Sequence, residues 1–246
     1  MTVGQRSEGG SGFLFRFRRN DEQREVFGFL TCYHVIRFDP QQPLPGTAQV
    51  MIRFQSDPPL DVSLDQIQDV NAEVHLSAQN DIYFIEVSPQ YRTIFAGNRI
   101  PFYESMDPVQ DQQLWIAQYP GSTERHVANA LLTRQLLPNA PFFPHQVSTS
   151  QGSSGSPLLQ FVQGQIQNGL VAIGMHHGEL QPNPPLNYAS SIATIKDFLN
   201  YRLLHGADPP FNVHPTAAVS ESYPCITLYC CFNLTYIRQS LHQSVG

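Results

Sequence analysis

The chain has 246 residues, is 41% hydrophobic and 14% charged, and carries a net charge of −6. This is too apolar for a disordered chain and long enough for one large domain or two small ones. It offers no electrostatic footprint for nucleic acid, because its one basic cluster is Arg16-Phe17-Arg18-Arg19, and no apolar run approaches the roughly 18 residues that span a bilayer.

Short apolar runs punctuated by Pro, Gly and Asn/Asp dominate the chain. In order they include Phe13–Phe17, Val26–Leu30, Val50–Phe54, Ile82–Val87, Leu114–Ala117, Leu158–Val162 and Leu170–Met175. They are short and rich in Val, Ile and Phe, which predicts strands. The basic cluster alternates with Phe15 and Phe17 and reads as a strand with one polar face. Many short strands with regular turns point to a sandwich or barrel. No segment before residue 190 keeps a helical period. Ser191–Leu204 then sets Ile192, Ile195, Phe198, Leu199 and Leu203 on one stripe, with Ser190 or Ser191 to cap it and Gly206 to end it. Asp208-Pro209-Pro210 breaks that pattern. Residues 206–246 are expected to be a tail, and its apolar run Cys225–Phe232 suits either a strand added to the body or a loose extension.

Of four cysteines only Cys32 lies in the body; Cys225, Cys230 and Cys231 belong to the tail. A disulfide framework is thus not expected there, which favours a reducing compartment. The first residues, Met1–Arg6, lack an apolar signal core. The expectation is an intracellular protein, cytoplasmic or nuclear. The sequon Asn233-Leu234-Thr235 would matter only in a secreted protein, and vicinal Cys230-Cys231 reads as inert. No cofactor or metal is expected.

Gly152-Ser153-Ser154-Gly155-Ser156-Pro157 carries the chemistry. A tight glycine turn presents the Ser154 hydroxyl and frees backbone N–H groups for a reacting oxygen, which suits acyl transfer. Alone, such a cluster is as good a plain loop. It needs a base, and His34 follows the apolar strand Val26–Thr31 in a Thr-x-x-His turn. The base needs an orienting carboxylate, and Asp81 opens the strand Ile82–Val87. An Asp at a strand start is otherwise a turn former.

Together the segments resemble the chymotrypsin/trypsin-like serine protease family in order and local sequence. Thr31-Cys32-Tyr33-His34 is similar to the family's Thr-Ala-Ala-His. Asn80-Asp81-Ile82 is similar to its Asn-Asp-Ile/Val strand start. Gly152–Pro157 is similar to Gly-Asp/Asn-Ser-Gly-Gly/Ser-Pro. Gly10-Ser11-Gly12-Phe13 and Gln118-Tyr119-Pro120-Gly121 resemble pieces of the HtrA-type and bacterial glutamyl-endopeptidase branches. The resemblance covers about residues 9–205. It implies an all-β fold of two six-stranded antiparallel β-barrels that meet near residues 100–112, with a C-terminal α-helix. It also implies a serine endopeptidase acting on protein or peptide substrates through an acyl-enzyme. Ser154 would attack, His34 would relay the proton, Asp81 would orient His34, and the N–H groups of Gly152 and Ser154 would form the oxyanion hole.

The departures are informative. Secreted trypsin-type enzymes carry an Asp before the nucleophile, which pairs with a newly cut N-terminus; here Ser153 stands there and no Ile-Val-Gly-Gly-like start exists. Activation by N-terminal clipping is therefore not expected. Val35 replaces the cysteine that usually follows the histidine, and Cys32 reads as a small buried apolar residue. The resemblance puts the specificity pocket at Ser148, Thr149 and His176, and the missing Asp near Ser148 argues against basic substrates. Glutamyl endopeptidases and picornaviral processing proteases resemble this Thr and Gly-x-His-x-Gly pair, which implies Glu or Gln before the cut. An imidazole and a hydroxyl can hydrogen-bond either side chain. Packing of His176 or His177 at the rim is the bland alternative. The competing functional reading is a non-catalytic peptide-binding module on the same fold. An α/β-hydrolase fits poorly, since no helix follows Ser154 and the order of the residues differs.

Overall fold

The computed structural model describes residues 8–20, 24–36, 50–56, 58–72, 74–106, 109, 111–120, 125–132, 141–162, 169–182, 185–209 and 226–230. Residues 1–6, Gly121, Pro210, Cys225, Cys231 and the sequon at 233–235 lie outside this set.

The first half contains β1 (Glu8–Arg18), β2 (Glu25–Thr31), α1 (Tyr33–Ile36), β3 (Met51–Phe54), β4 (Leu60–Ser63), α2 (Leu64–Ile67), β5 (Val74–Ser77), β6 (Ile82–Glu86) and α3 (Pro89–Gly97). The second contains β7 (Gln113–Gln118), β8 (His126–Leu131), β9 (Phe142–His145), β10 (Pro157–Val162), β11 (Gly169–Pro182), β12 (Pro185–Ser191) and α4 (Ile192–His205). A last strand, β13 (Ile226–Cys230), comes from the tail. The protein is thus predominantly β with a C-terminal helix, and every apolar run named above contributes to a strand.

The strands form two sheets. The second half makes a six-stranded sheet in the order β8-β7-β10-β11-β12-β9, with every pair antiparallel. The first half makes a sheet of seven strands rather than the expected six, in the order β4-β3-β13-β1-β2-β6-β5. The added strand is β13, which pairs in parallel with β1 on one side (Ser11 opposite Tyr229) and with β3 on the other (Ile52 opposite Leu228). Of the two readings of the tail's apolar run, the structure takes the added strand.

Phe13, Leu14 and Phe15 of β1 and Phe29 and Leu30 of β2 are fully buried. Each such side chain contributes about 1.5–3 kcal/mol relative to exposure. α4 carries its stripe (Ile192, Ile195, Phe198, Leu199) from the end of the second sheet into this same core, so it ties the halves together. Its C-cap is Gly206 in the left-handed region, as the sequence predicts. Ser191 is the N-cap residue but makes no side-chain cap bond. Among the described residues three helices precede residue 190, where the sequence shows no helical period; α1 and α2 are single turns of four residues. α3 lies well before residue 190, starts at Pro89, and fully buries only Phe95. A single buried residue leaves too weak a period to read.

Candidate active site

His34 sits on the single turn α1 directly after β2, and Asp81 sits directly before β6, the strand paired with β2. Adjacent strands therefore bring the two residues together. Asp81 takes φ +53°, a left-handed conformation that Asp tolerates better than most residues. Its backbone carbonyl accepts the Tyr33 N–H at 3.1 Å, and its Oδ1 accepts the His34 N–H at 2.8 Å. Its Oδ2 then lies 2.7 Å from His34 Nδ1. A carboxylate only accepts, so the His34 proton is on Nδ1 and Nε2 is the basic nitrogen. The His34 side chain is 34% exposed, against 10% for Asp81.

Burial by itself would raise the Asp81 pKa. The hydrogen bonds from His177 and His34 outweigh it and hold the carboxyl well below the usual carboxylate range. For His34, burial pulls the pKa down, but the hydrogen bond to Asp81 and its charge prevail and raise it above the ordinary value of 6.5.

Ser154 lies between β9 and β10, in a turn with Gly152 at φ +93° and Gly155 at φ +85°. The Ser153, Gly155 and Ser156 N–H groups donate to the carbonyls of Ser150, His176 and Ser153. Within Gly152–Ser156, among the described residues, the N–H groups of Gly152 and Ser154 have no such bond. Ser154 Oγ donates to the His177 carbonyl at 2.8 Å rather than to the His34 ring.

Two further sets of bonds hold this turn. Ser11 of β1 donates its N–H to the Ser154 carbonyl (2.9 Å) and its Oγ to the Gly152 carbonyl (2.9 Å). Ser153 is fully buried; its Oγ lies 2.5 Å from Gln118 Oε1 and 2.6 Å from the Ser150 carbonyl. Gln118 is held in turn, donating Nε2 to the Ser148 carbonyl at 2.9 Å. The bonds around Ser153 are all uncharged, and its one hydroxyl proton is shared between the Gln118 amide oxygen and the Ser150 carbonyl. The sequence flagged Gly10–Phe13 and Gln118–Gly121 as family-like segments but did not show that Ser11 and Gln118 brace the serine turn.

The predicted pocket residues are placed variously. Ser148 is exposed and Thr149 half-buried. His176 is buried, with its Nδ1 3.1 Å from Nε2 of His145. No hydrogen bond joins Ser148, Thr149 and His176 to one another among the described residues. Burial lowers the pKa of His176 well below 6.5 and that of His145 to about 3, so both rings are neutral near neutral pH.

Cys32 is more than apolar filling. Its Sγ lies 3.4 Å from both the His176 carbonyl and His177 Nδ1. Burial, and then the charge of Asp81, push its thiol pKa well above normal, so it is no nucleophile. Ligand atoms of Cys32, His34 and Asp81 lie within 4.8 Å of one another, a spacing compatible with a metal ion. All three are already engaged in the hydrogen bonds described, and the thiol is held protonated. The residue that sequence reasoning passed over is His177, whose imidazole reaches Asp81 from the other sheet.

Three solved structures are similar in fold. The serine protease domain of the Sesbania mosaic virus polyprotein shares 17% identity, with TM-score 0.43 and 70% of this chain and 80% of that one covered. A serine endoprotease from Yersinia pestis shares 13% identity, with TM-score 0.46 and coverage of 80% and 64%. The HtrA-type protease AlgW with tripeptide shares 10% identity, with TM-score 0.47 and coverage of 81% and 62%. No curated protein sequence matches the chain. Among the described residues, no helix is long and apolar enough to cross a membrane. The family model of the trypsin-like peptidase domain matches residues 10–173, and the chain belongs to that family.

Proposed function

We propose that this chain is a serine endopeptidase that works through Ser154, His34 and Asp81. The observation that carries this reading is the double hold of Asp81 on His34, at backbone N–H and ring Nδ1, which leaves Nε2 as the basic nitrogen. For attack, Ser154 Oγ must leave the His177 carbonyl and donate to that nitrogen. Hydrogen bonds of this kind are often long or misaligned before substrate arrives. Oγ then bonds to the scissile carbonyl carbon and its proton passes to His34 Nε2. The carbonyl oxygen takes the negative charge, facing the N–H groups of Gly152 and Ser154. On collapse the C–N bond breaks and His34 hands the proton to the leaving amine. Water, deprotonated by His34, repeats the sequence on the ester and releases the acid.

The two sheets are read as the two barrels of a chymotrypsin-like domain spanning residues 9–205, with β13 as an addition from the tail. A body whose one described free cysteine is buried suits a reducing, intracellular compartment.

A fluorophosphonate probe tests the activity. The full chain is expected to label covalently, and Ser154→Ala to lose all labelling; an unlabelled wild-type protein would leave the peptide-binding reading in its place. Specificity follows from Thr149 and His176 as readers of Glu or Gln. Because His176 and His145 are neutral, the pair supplies hydrogen bonds without a counter-charge, which suits an amide better than a carboxylate. In a peptide library, Gln before the cut is expected to be enriched above Glu and both above other residues. Equal cleavage after all residues would remove the pocket assignment.

A further inference from the structure

His177, on β11, is fully buried, and its imidazole joins the two sheets. Nδ1 lies 2.9 Å from Asp81 Oδ2, the same oxygen that His34 Nδ1 approaches at 2.7 Å. Nε2 lies 2.7 Å from the buried hydroxyl of Ser190 on β12. The ring stacks on Tyr188 with centroids 5.6 Å apart and planes 4° apart. Its own backbone carbonyl accepts the Ser154 hydroxyl at 2.8 Å. One residue thus touches two members of the proposed triad, the carboxylate by its side chain and the serine by its backbone.

The partners determine the tautomer. Asp81 Oδ2 can only accept, so the His177 proton lies on Nδ1; Ser190 can donate, so its hydroxyl satisfies Nε2. Fully buried, and with both nitrogens occupied, the ring cannot reach a substrate. It is not a second base.

We propose that His177 is a positioning residue: its Nδ1–H fixes the Asp81 carboxylate from the second sheet and limits how much of that charge acts on His34. This rests on the proposed triad. Asp81 Oδ2 divides its accepting capacity between two imidazoles, and Oδ1 is taken by the His34 N–H. Removing the His177 donor leaves more of the Oδ2 charge to His34, and it also lets a carboxylate that has lost one of its holds turn in its site. The titratable groups around this centre are His34 and Cys32 after β2, Asp81 before β6, His176 on β11 with His145 of β9 beyond it, and Tyr188 of β12.

The test is the rate of fluorophosphonate inactivation against pH in the full-length chain. His177→Leu is expected to slow inactivation about 10²-fold, as a misplaced catalytic group does. It should also move the acid limb of the profile up by about half to one pH unit, because His34 then faces a less shared charge. His177→Asn, which can offer an amide N–H near the position of Nδ1, is expected to recover most of both effects. If His177→Leu is folded yet matches wild type in rate and limb, the assignment is overturned. Should that variant fail to fold, nitrogen-15 NMR of histidine-labelled wild-type protein decides. A His177 proton on Nδ1 supports the proposal, and one on Nε2 alone overturns it. Wild-type protein that never labels refutes the triad instead, and the NMR readout still stands.

Discussion

Replacing Asp81 with Asn is expected to lower the rate of serine acylation about 10⁴-fold while leaving the fold in place. The amide is nearly isosteric with the carboxylate, so the His34 backbone N–H keeps an oxygen to donate to. The ring loses more. An Asn side chain that turns its NH₂ to His34 Nδ1 favours the opposite tautomer, with the proton on Nε2, where Ser154 needs a lone pair. The pH profile gives an independent check. His34 must be neutral to accept the serine proton, so activity rises as pH passes upward through its pKa. In the wild-type chain Asp81 lifts that pKa above 6.5 against the effect of burial. Without the charge only burial remains, so the acid limb of whatever activity survives is expected to move to lower pH. That shift is opposite in sign to the one expected for His177→Leu. Stopped-flow or probe kinetics across pH measure both quantities. A loss below tenfold with an unmoved limb would remove Asp81 from the mechanism.

Gly155→Ala is expected to be the most damaging single methyl in the serine turn. Gly155 has φ +85°, where an L-residue pays about 1–2 kcal/mol. A Cβ there would also stand 2.0 Å from the Ser11 carbonyl oxygen and 2.4 Å from Thr31 Oγ1. Those atoms form a buried hydrogen bond of 2.6 Å between β2 and β1, so neither can move without breaking it. With the cost of overpacking added, the total is about 3 kcal/mol. For a domain of this size that lowers Tm by roughly 6–12 °C. The displaced segment is the one whose Ser11 grips the Ser154 and Gly152 carbonyls, so residual activity is expected to fall as well. Calorimetry and probe labelling of the same sample test the two effects. A variant with wild-type Tm would mean that the turn relaxes without strain.

The sequence alone determined what depends on local pattern. Alternating and continuous apolar runs located the strands, and the stripe from Ile192 to Leu203 with Gly206 behind it located α4. Motif resemblance singled out His34 and Asp81, which adjacent strands β2 and β6 then bring within hydrogen-bond reach. The rest depended on partners far away in the chain. β13 joins β1 and β3 from more than 170 residues further along, and nothing in Cys225–Phe232 encodes which strands it meets. Gln118, Ser11 and Ser190 are ordinary polar residues whose roles arise only from what they face. His177 is the clearest case. A histidine beside another histidine in an apolar run fits simple packing, and its chemistry depends on which oxygen and which hydroxyl flank the ring. Periodicity and turn chemistry act over a few residues, so they are written into the sequence. Hydrogen-bond partners in a buried site are chosen by the packing of one sheet against the other, and only the tertiary structure decides them.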